Sequence, residues 1–251
     1  MQAVETREHA SALWLTLQRP PLNVLDVPTI RALHAEVSAL RDRGDLRALV
    51  LRSALDGTFS AGTDVRDHTR ERAPGMLEAF HGLIRLLDAL PQSTVAAVDG
   101  RCLGGGCELA LFCDVVLATP RSTFGQPEID LACFPPVAAV SLTRLAPRAA
   151  FEMVLGGAPV AAAEAARAGL ITRVVEDVDA AALEWVARLA GKSAAALALA
   201  RRALRAGAAG TFDDALARLE ALYLAEVLRT EDAEEGVAAF LEKRQPSWRN
   251  R

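Results

Sequence analysis

Short apolar strands alternate with amphipathic helices through the first half of the chain, and this alternation limits the fold more than any other feature. The apolar patterns predict strands at Ser11–Gln18, Ala48–Arg52, Val95–Val98 and Val115–Ala118. Helices with one apolar stripe are predicted at Pro28–Arg43 and at about Pro74–Leu90. Strands that are separated by helices need crossover connections, so we expect an α/β fold with a largely parallel sheet.

The pattern becomes almost wholly helical from about Ala149 onward. The predicted helices are Ala150–Leu155, Val160–Ala168, Ala180–Ala206, Thr211–Leu228 and Glu231–Lys243, with a last short strand at Val174-Val175. Alanine-rich helices with apolar faces are typical of surfaces between subunits. They are equally typical of a helical lid on the same core, and the pattern alone leaves both interpretations open.

The size and charge of the chain argue against several classes of protein. The 251 residues are 51% apolar, which is ample for a buried core. A formal charge of −4 argues against general nucleic-acid binding, which needs a basic face. The first ten residues are polar and partly acidic, so we expect no signal peptide, and no stretch approaches the ~18 apolar residues of a membrane helix. A cytoplasmic protein is expected.

Four cysteines lie close together in the middle of the chain, at positions 102, 107, 113 and 133. Their spacing fits neither a C-x-x-C motif nor a disulfide ladder, and no histidine lies nearby to complete a zinc site. We interpret them as buried reduced thiols.

A glycine run, Gly104-Gly105-Gly106, joins the strand near Val98 to a short helix predicted over Cys107–Phe112. Backbone N–H groups at such a helix terminus suit an anion or a developing oxyanion, and the absence of Cβ atoms lets a substrate approach. A tight turn that allows close packing is an equal alternative. Glu108 in the first helical turn has two interpretations as well, as a catalytic carboxylate or as a stabiliser of the helix dipole.

Two further segments carry candidate functional groups. Glu128 ends the sequence FGQPE at 124–128 and precedes an apolar run. Such a glutamate is usually solvated, but two carboxylates that face one apolar pocket form an acid–base pair. The small-residue loop Phe59–Asp64 follows a predicted strand, where α/β sheets commonly bind ligands.

Taken in order, these motifs resemble the crotonase (enoyl-CoA hydratase/isomerase) superfamily over nearly the whole chain. The segments that carry the resemblance are Leu22–Leu25 (LNVL), Phe59–Asp64 (FSAGTD), Val95–Gly100 (VAAVDG), Leu103–Asp114 (LGGGCELALFCD), Phe124–Glu128 (FGQPE), Ala161–Leu170 (AAAEAARAGL) and Ala239–Arg244 (AFLEKR). The resemblance implies a spiral core of ββα units over residues 1–190. It also implies a helical C-terminal region, 191–251, that forms a homotrimer or a homohexamer.

The resemblance also assigns roles within a hydratase site. It implies an oxyanion hole made by the N–H groups of Ala61 and Gly105, with Glu108 as the base and Glu128 as the acid. The substrate is then an unsaturated acyl-CoA, and no metal or redox cofactor is expected. Relatives with isomerase or thioester-hydrolase activity often lack one of the two glutamates. An isomerase, a hydrolase and a non-catalytic CoA-binding homologue are the alternatives.

One departure from the family pattern concerns the acyl pocket. Where most members have a glycine-rich stretch, this chain reads FPPVAAV at 134–140, which predicts a stiffer and fuller pocket wall. With Arg19–Leu25 and Val65–Thr69, this segment most resembles the cyclohexa-1,5-diene-1-carbonyl-CoA hydratases. The expected substrate-binding positions are Leu22, Val24, Ser60, Asp64, His68, Gly104, Phe134, Pro135, Pro136, Val137 and Lys243. For Asp64, a helix cap is favoured over a role in orienting the oxyanion loop. For His68, an exposed or helix-packing histidine is favoured, and for Lys243 a solvated basic face is an equal alternative.

Overall fold

Ten strands and ten α-helices make up the part of the chain that the structure, a computed structural model, describes: residues 2–207 and 211–251. The strands are β1 Val4–His9, β2 Ala12–Leu17, β3 Ala48–Ser53, β4 Thr58–Ser60, β5 Ser93–Val98, β6 Arg101–Leu103, β7 Val115–Ala118, β8 Thr123–Gly125, β9 Val160–Ala161 and β10 Arg173–Val174. The helices are α1 Val27–Leu40, α2 Ala73–Ala89, α3 Gly105–Leu111, α4 Pro136–Leu145, α5 Pro147–Gly156, α6 Ala162–Arg167, α7 Val178–Ala190, α8 Ala194–Gly207, α9 Phe212–Ala225 and α10 Glu231–Leu241. Short 3₁₀ helices lie at Val65–His68, Pro127–Leu131 and Val227–Arg229.

The strands form two sheets between which the chain passes repeatedly. The larger sheet has the order β1-β2-β3-β5-β7-β10, and the smaller has the order β4-β6-β8-β9. Among the strands that the structure describes, only the β1–β2 and β8–β9 pairs are antiparallel. Each of β3, β5 and β7 is followed by one strand of the smaller sheet and then by a helix. This is the predicted spiral of ββα units with a largely parallel sheet.

The larger sheet is buried on both faces because its strands alternate between two apolar clusters. In β3, Leu49 and Leu51 face α1 and α2, whereas Ala48 and Val50 face α7. A strand buried on both faces reads as a continuous apolar run, as ALVLR does at 48–52. That is why the sequence pattern located these central strands.

Most predicted elements are confirmed, and the exceptions have physical causes. β1 was missed because it is an edge strand in which only Val4 is buried. The single helix predicted over Ala180–Ala206 was wrong: α7 ends at Ala190, and α8 begins at Ala194 after Gly191. Likewise, the helix predicted over Val160–Ala168 begins with the short strand β9.

The C-terminal helices are tied to the core through α8. Arg201, whose side chain is only 9% exposed, donates to Asp114 at 2.7 Å and to backbone carbonyl groups where α2 ends, including that of Leu87 at 2.8 Å. Arg205 donates to the other carboxylate oxygen of Asp114 at 2.6 Å. The proposed boundary at residues 190/191 coincides with the break between α7 and α8, and the division into two regions stays a prediction.

Two smaller predictions can be compared directly with the fold. Cys102, Cys107 and Cys113 are buried, Cys133 is partly exposed, and all four are free thiols. Within residues 2–207 and 211–251, no helix is long and apolar enough to cross a membrane.

Candidate active site

Three candidate segments meet at one edge of the smaller sheet. The loop 61–64 follows β4, the glycine run follows β6, and Glu128 follows β8. Because β4, β6 and β8 are neighbouring parallel strands, their carboxyl ends lie side by side. Successive turns of the spiral therefore bring together residues that are about 20 to 45 positions apart in sequence.

The glycines at this edge allow backbone and side chains to approach very closely. A Cβ on Gly104, whose φ is +52°, would lie 2.8 Å from Oε1 of Glu128. A Cβ on Gly62 would lie 3.2 Å from the nitrogen of Gly105. A Cβ on Gly106 would meet the side chain of Ser60 at 2.5 Å, so close packing explains this third glycine.

The backbone N–H groups of this edge differ in whether they are already hydrogen-bonded. The Ala61 N–H donates to the carbonyl of Leu22 at 2.9 Å, so the first predicted oxyanion donor is already used. Among the described residues, the N–H groups of Thr63 and Gly105 have no acceptor. The two groups are adjacent, because a Cβ on Gly105 would lie 3.3 Å from the nitrogen of Thr63. The geometry therefore favours Thr63 over Ala61 as the neighbour of Gly105 with a free N–H.

Glu108 lies in the first turn of α3, is 5% exposed, and accepts a hydrogen bond from the Ala138 N–H at 2.8 Å. Burial raises the pKa of Glu108 to about 7; the bond from Ala138 opposes this shift, and the charge of Glu128 adds to it. A carboxyl group with such a pKa exchanges protons readily near neutral pH. Its environment is that of an acid–base group rather than a solvated helix stabiliser.

Glu128 lies in the 3₁₀ helix Pro127–Leu131 and faces the glycine run. Burial is the largest influence on its pKa, which is raised above the ordinary value. Its Oε2 atom is buried and has no hydrogen-bond partner among the described residues. A buried carboxylate oxygen without a partner is costly, so this atom is available for a substrate or a water molecule.

The segment around Pro135-Pro136 holds Glu108 in place. Pro135 precedes α4 and Pro136 is its first residue, where a fixed φ and a missing N–H are favourable. The next N–H groups of this helix face Glu108: that of Ala138 donates to it, and that of Val137 also lowers its pKa. The segment is therefore the start of a helix, and the stiffer pocket wall that the sequence predicts stays a prediction.

Several residues predicted to bind substrate have structural partners instead. Ser60 is fully buried; its Oγ donates to the Asn23 carbonyl at 2.7 Å and accepts from the Gly62 N–H at 3.1 Å. Asp64 caps the following 3₁₀ helix and pairs with Arg66 at 2.6 Å, which confirms the capping alternative. Leu22 contributes its carbonyl to the loop, as described above.

The remaining predicted substrate-binding residues do not all lie near the two glutamates. His68 lies beside Thr63, with its Nε2 3.4 Å from the Thr63 Oγ1. Val24 accepts a hydrogen bond from Arg19 at 3.1 Å, and Phe134 is 65% exposed next to the α4 start. Lys243 lies at the end of α10, which packs mainly on α8 and on Val227–Arg229 and not on the glutamates. A single chain therefore does not bring Lys243 to this site.

The raised pKa of Glu108 gives a testable pH dependence of stability. A carboxyl whose pKa rises from 4.5 to about 7 on folding stabilises the protein fully only below the lower value. This contribution is lost as the pH rises through about 7. We expect Glu108→Gln, which keeps an acceptor for Ala138, to be more stable than the wild type by about 2–3 kcal/mol at pH 8.

Urea unfolding at pH 8 and pH 5, at one protein concentration, checks this expectation. The stability difference should shrink by more than half at pH 5. An equal difference at both pH values would show that ionisation of Glu108 is not its source.

Comparison with known proteins shows what the whole chain is similar to. A family model described as enoyl-CoA hydratase/isomerase matches residues 7–251. A cyclohexa-1,5-dienecarbonyl-CoA hydratase of Thauera aromatica is 39% identical, over 96% of this chain and 94% of that protein. A probable enoyl-CoA hydratase of Rhizobium meliloti is 35% identical, over 94% of each. The crystal structure of an enoyl-CoA hydratase from Bacillus anthracis superposes with a TM-score of 0.93 at 27% identity, over 100% of both chains.

Proposed function

The chain belongs to the enoyl-CoA hydratase/isomerase family, and from this membership we propose that it adds water to an α,β-unsaturated acyl-CoA thioester. The observation that carries the proposal is the pair of largely buried carboxyl groups, Glu108 and Glu128, at the edge that also holds the free N–H of Gly105. Both groups have raised pKa values, as an acid–base pair requires.

The negative charge of the reaction develops on the thioester oxygen. When water attacks Cβ, the electron pair of the double bond moves toward the carbonyl and forms an enolate. We assign its stabilisation to the N–H groups of Thr63 and Gly105, in place of Ala61, because those two are adjacent and unbonded. Fixed donors of this kind contribute roughly 3–4 kcal/mol each in comparable sites.

The two glutamates divide the proton transfers. We assign Glu108 as the base that accepts a proton from the attacking water, and Glu128 as the acid that delivers a proton to Cα. Burial raises the pKa values of both carboxyl groups, and the charge of Glu128 raises that of Glu108 further. A second negative charge on the pair is thereby disfavoured, and the proposed division needs one proton shared by the pair. These steps use only the chain's own groups and the substrate, so the proposal includes no metal or redox cofactor.

A cyclic dienoyl-CoA is the substrate that we propose. Support comes from the 39% identity to the Thauera aromatica protein, which is named for such a substrate. It comes also from the Pro135-Pro136 start of α4, which fixes the wall beside Glu108 where the family pattern has flexible glycines.

Mass spectrometry on a panel of enoyl-CoA and cyclic dienoyl-CoA thioesters tests the proposal. We expect each productive substrate to gain the mass of one water, with the cyclic dienoyl-CoA turned over most efficiently. Double-bond migration with no mass gain would instead identify an isomerase. Release of free CoA thiol, which a thiol reagent detects, would identify a hydrolase.

The C-terminal helices support the proposal of a homotrimer or homohexamer. They expose large apolar side chains in the single chain, among them Leu204 (79%), Phe212 (78%) and Phe240 (83%). Large exposed apolar side chains of this kind are typical of a subunit interface. Lys243 lies in the same region. In such an assembly, its proposed role is to bind a phosphate of the CoA that a neighbouring subunit holds. The cytoplasmic location stays a prediction.

A further inference from the structure

His68 is held beside the active site by a hydrogen bond that fixes its tautomer. Its Nδ1 lies 3.0 Å from the carbonyl oxygen of Asp64, an atom that can only accept. Nδ1 therefore carries the proton, and Nε2 of the neutral ring is an acceptor. At 3.4 Å from Nε2, the hydroxyl of Thr63 is the donor that this acceptor faces.

The same ring lies within electrostatic reach of the acid. Burial raises the pKa of Glu128, and a positive charge on His68 would lower it. His68 therefore lies beside Thr63, the residue opposite Gly105, and within electrostatic range of the Glu128 carboxyl.

Backbone hydrogen bonds hold the residues on either side of Thr63, but none holds the Thr63 N–H itself. Thr63 takes part only in an isolated bridge with Leu25 and follows Gly62, whose φ is +97°. The Leu25 N–H donates to the carbonyl of Gly62 at 2.8 Å and so holds the peptide group between Gly62 and Thr63 on its carbonyl side. The N–H of the same group, which must point at the thioester oxygen, has no acceptor among the described residues. Small rotations of that peptide group would move the Thr63 N–H away from the position where it and the Gly105 N–H meet the same oxygen.

We propose that His68 is a positioning residue for hydration: it holds the Thr63 hydroxyl, and thereby keeps the Thr63 N–H in line with that of Gly105. The inference rests on the proposed function. It gives His68 a role through Thr63 and not through contact with the reacting atoms.

Two substitutions of His68 separate its two hydrogen bonds. His68→Asn keeps a donor for the Asp64 carbonyl and removes the acceptor for the Thr63 hydroxyl. In His68→Gln, the side-chain amide reaches the position of Nε2 and can face that hydroxyl. We expect His68→Asn to lower kcat about tenfold with KM changed less than twofold, because a misplaced donor affects the transition state most. His68→Gln should recover much of this loss, and exposed His34→Asn should match the wild type.

Thr63→Val completes a double-mutant cycle, because it removes the hydroxyl and keeps the backbone N–H. If His68 acts through that hydroxyl, Thr63→Val alone should lower kcat about tenfold, and the double variant with His68→Asn should be no slower than either single variant. Additive losses, or a loss that appears only in KM, would overturn the inference. Melting temperatures that match the wild type show that the fold is intact, and Thr63→Val decides the question if His68→Asn fails to fold.

The wild-type rate separates this inference from the proposed function. If the wild-type protein hydrates none of the thioesters, the proposed function fails. If it does hydrate them and Thr63→Val leaves kcat unchanged, only the role of His68 fails.

Discussion

Glu128→Gln is expected to lower kcat for hydration by about 10³-fold while acyl-CoA still binds. The amide has nearly the same shape as the carboxyl but cannot deliver a proton to Cα, and a positioned acid contributes about 10²–10⁴-fold. KM should therefore change far less than kcat, because the loss concerns the transition state.

Asp130→Asn is the matched control, since it removes a carboxylate from the same 3₁₀ helix at an exposed position. Its rate should equal that of the wild type. Initial rates on the substrate that shows the largest mass gain provide the measurement. If Glu128→Gln hydrates as fast as Asp130→Asn, the mechanism with two carboxyl groups is wrong.

The spiral explains why so much of the site could be predicted from the sequence. Each functional segment follows the second strand of a ββα unit, so short motifs such as FSAGTD and FGQPE are local signals with a fixed place in the fold. The parallel pairing of β4, β6 and β8 then brings them together without long loops. Glu108 and Glu128 could thus be paired by motif alone.

Backbone hydrogen bonding could not be predicted in the same way. Ala61 and Thr63 are two positions apart in one small-residue loop, and only the bond from Ala61 to the Leu22 carbonyl separates their roles. The N-terminal turn of α4 was missed for a related reason. Consecutive prolines indicate a break in structure, and only the fold shows that Pro136 starts a helix whose N–H groups hold Glu108.

Gly105→Ala is expected to lower kcat/KM by about 10²–10³-fold through the oxyanion hole. The φ of Gly105 is not positive, so alanine is compatible with the backbone and the effect is one of space. The added Cβ would lie 3.3 Å from the nitrogen of Thr63 and 2.8 Å from its Cγ2, in the gap that the thioester oxygen needs. Gly82→Ala in α2 is the control, because nothing lies within 4 Å of the added methyl group.

Combining Gly105→Ala with Thr63→Ser separates crowding from catalysis. Serine lacks Cγ2 and keeps both the hydroxyl and the N–H, so the clash at 2.8 Å disappears while the Cβ still lies 3.3 Å from the Thr63 nitrogen. We expect the double variant to regain the wild-type melting temperature and to remain slow. If the rate returns together with the stability, Gly105 serves packing alone, and the enolate must be stabilised elsewhere.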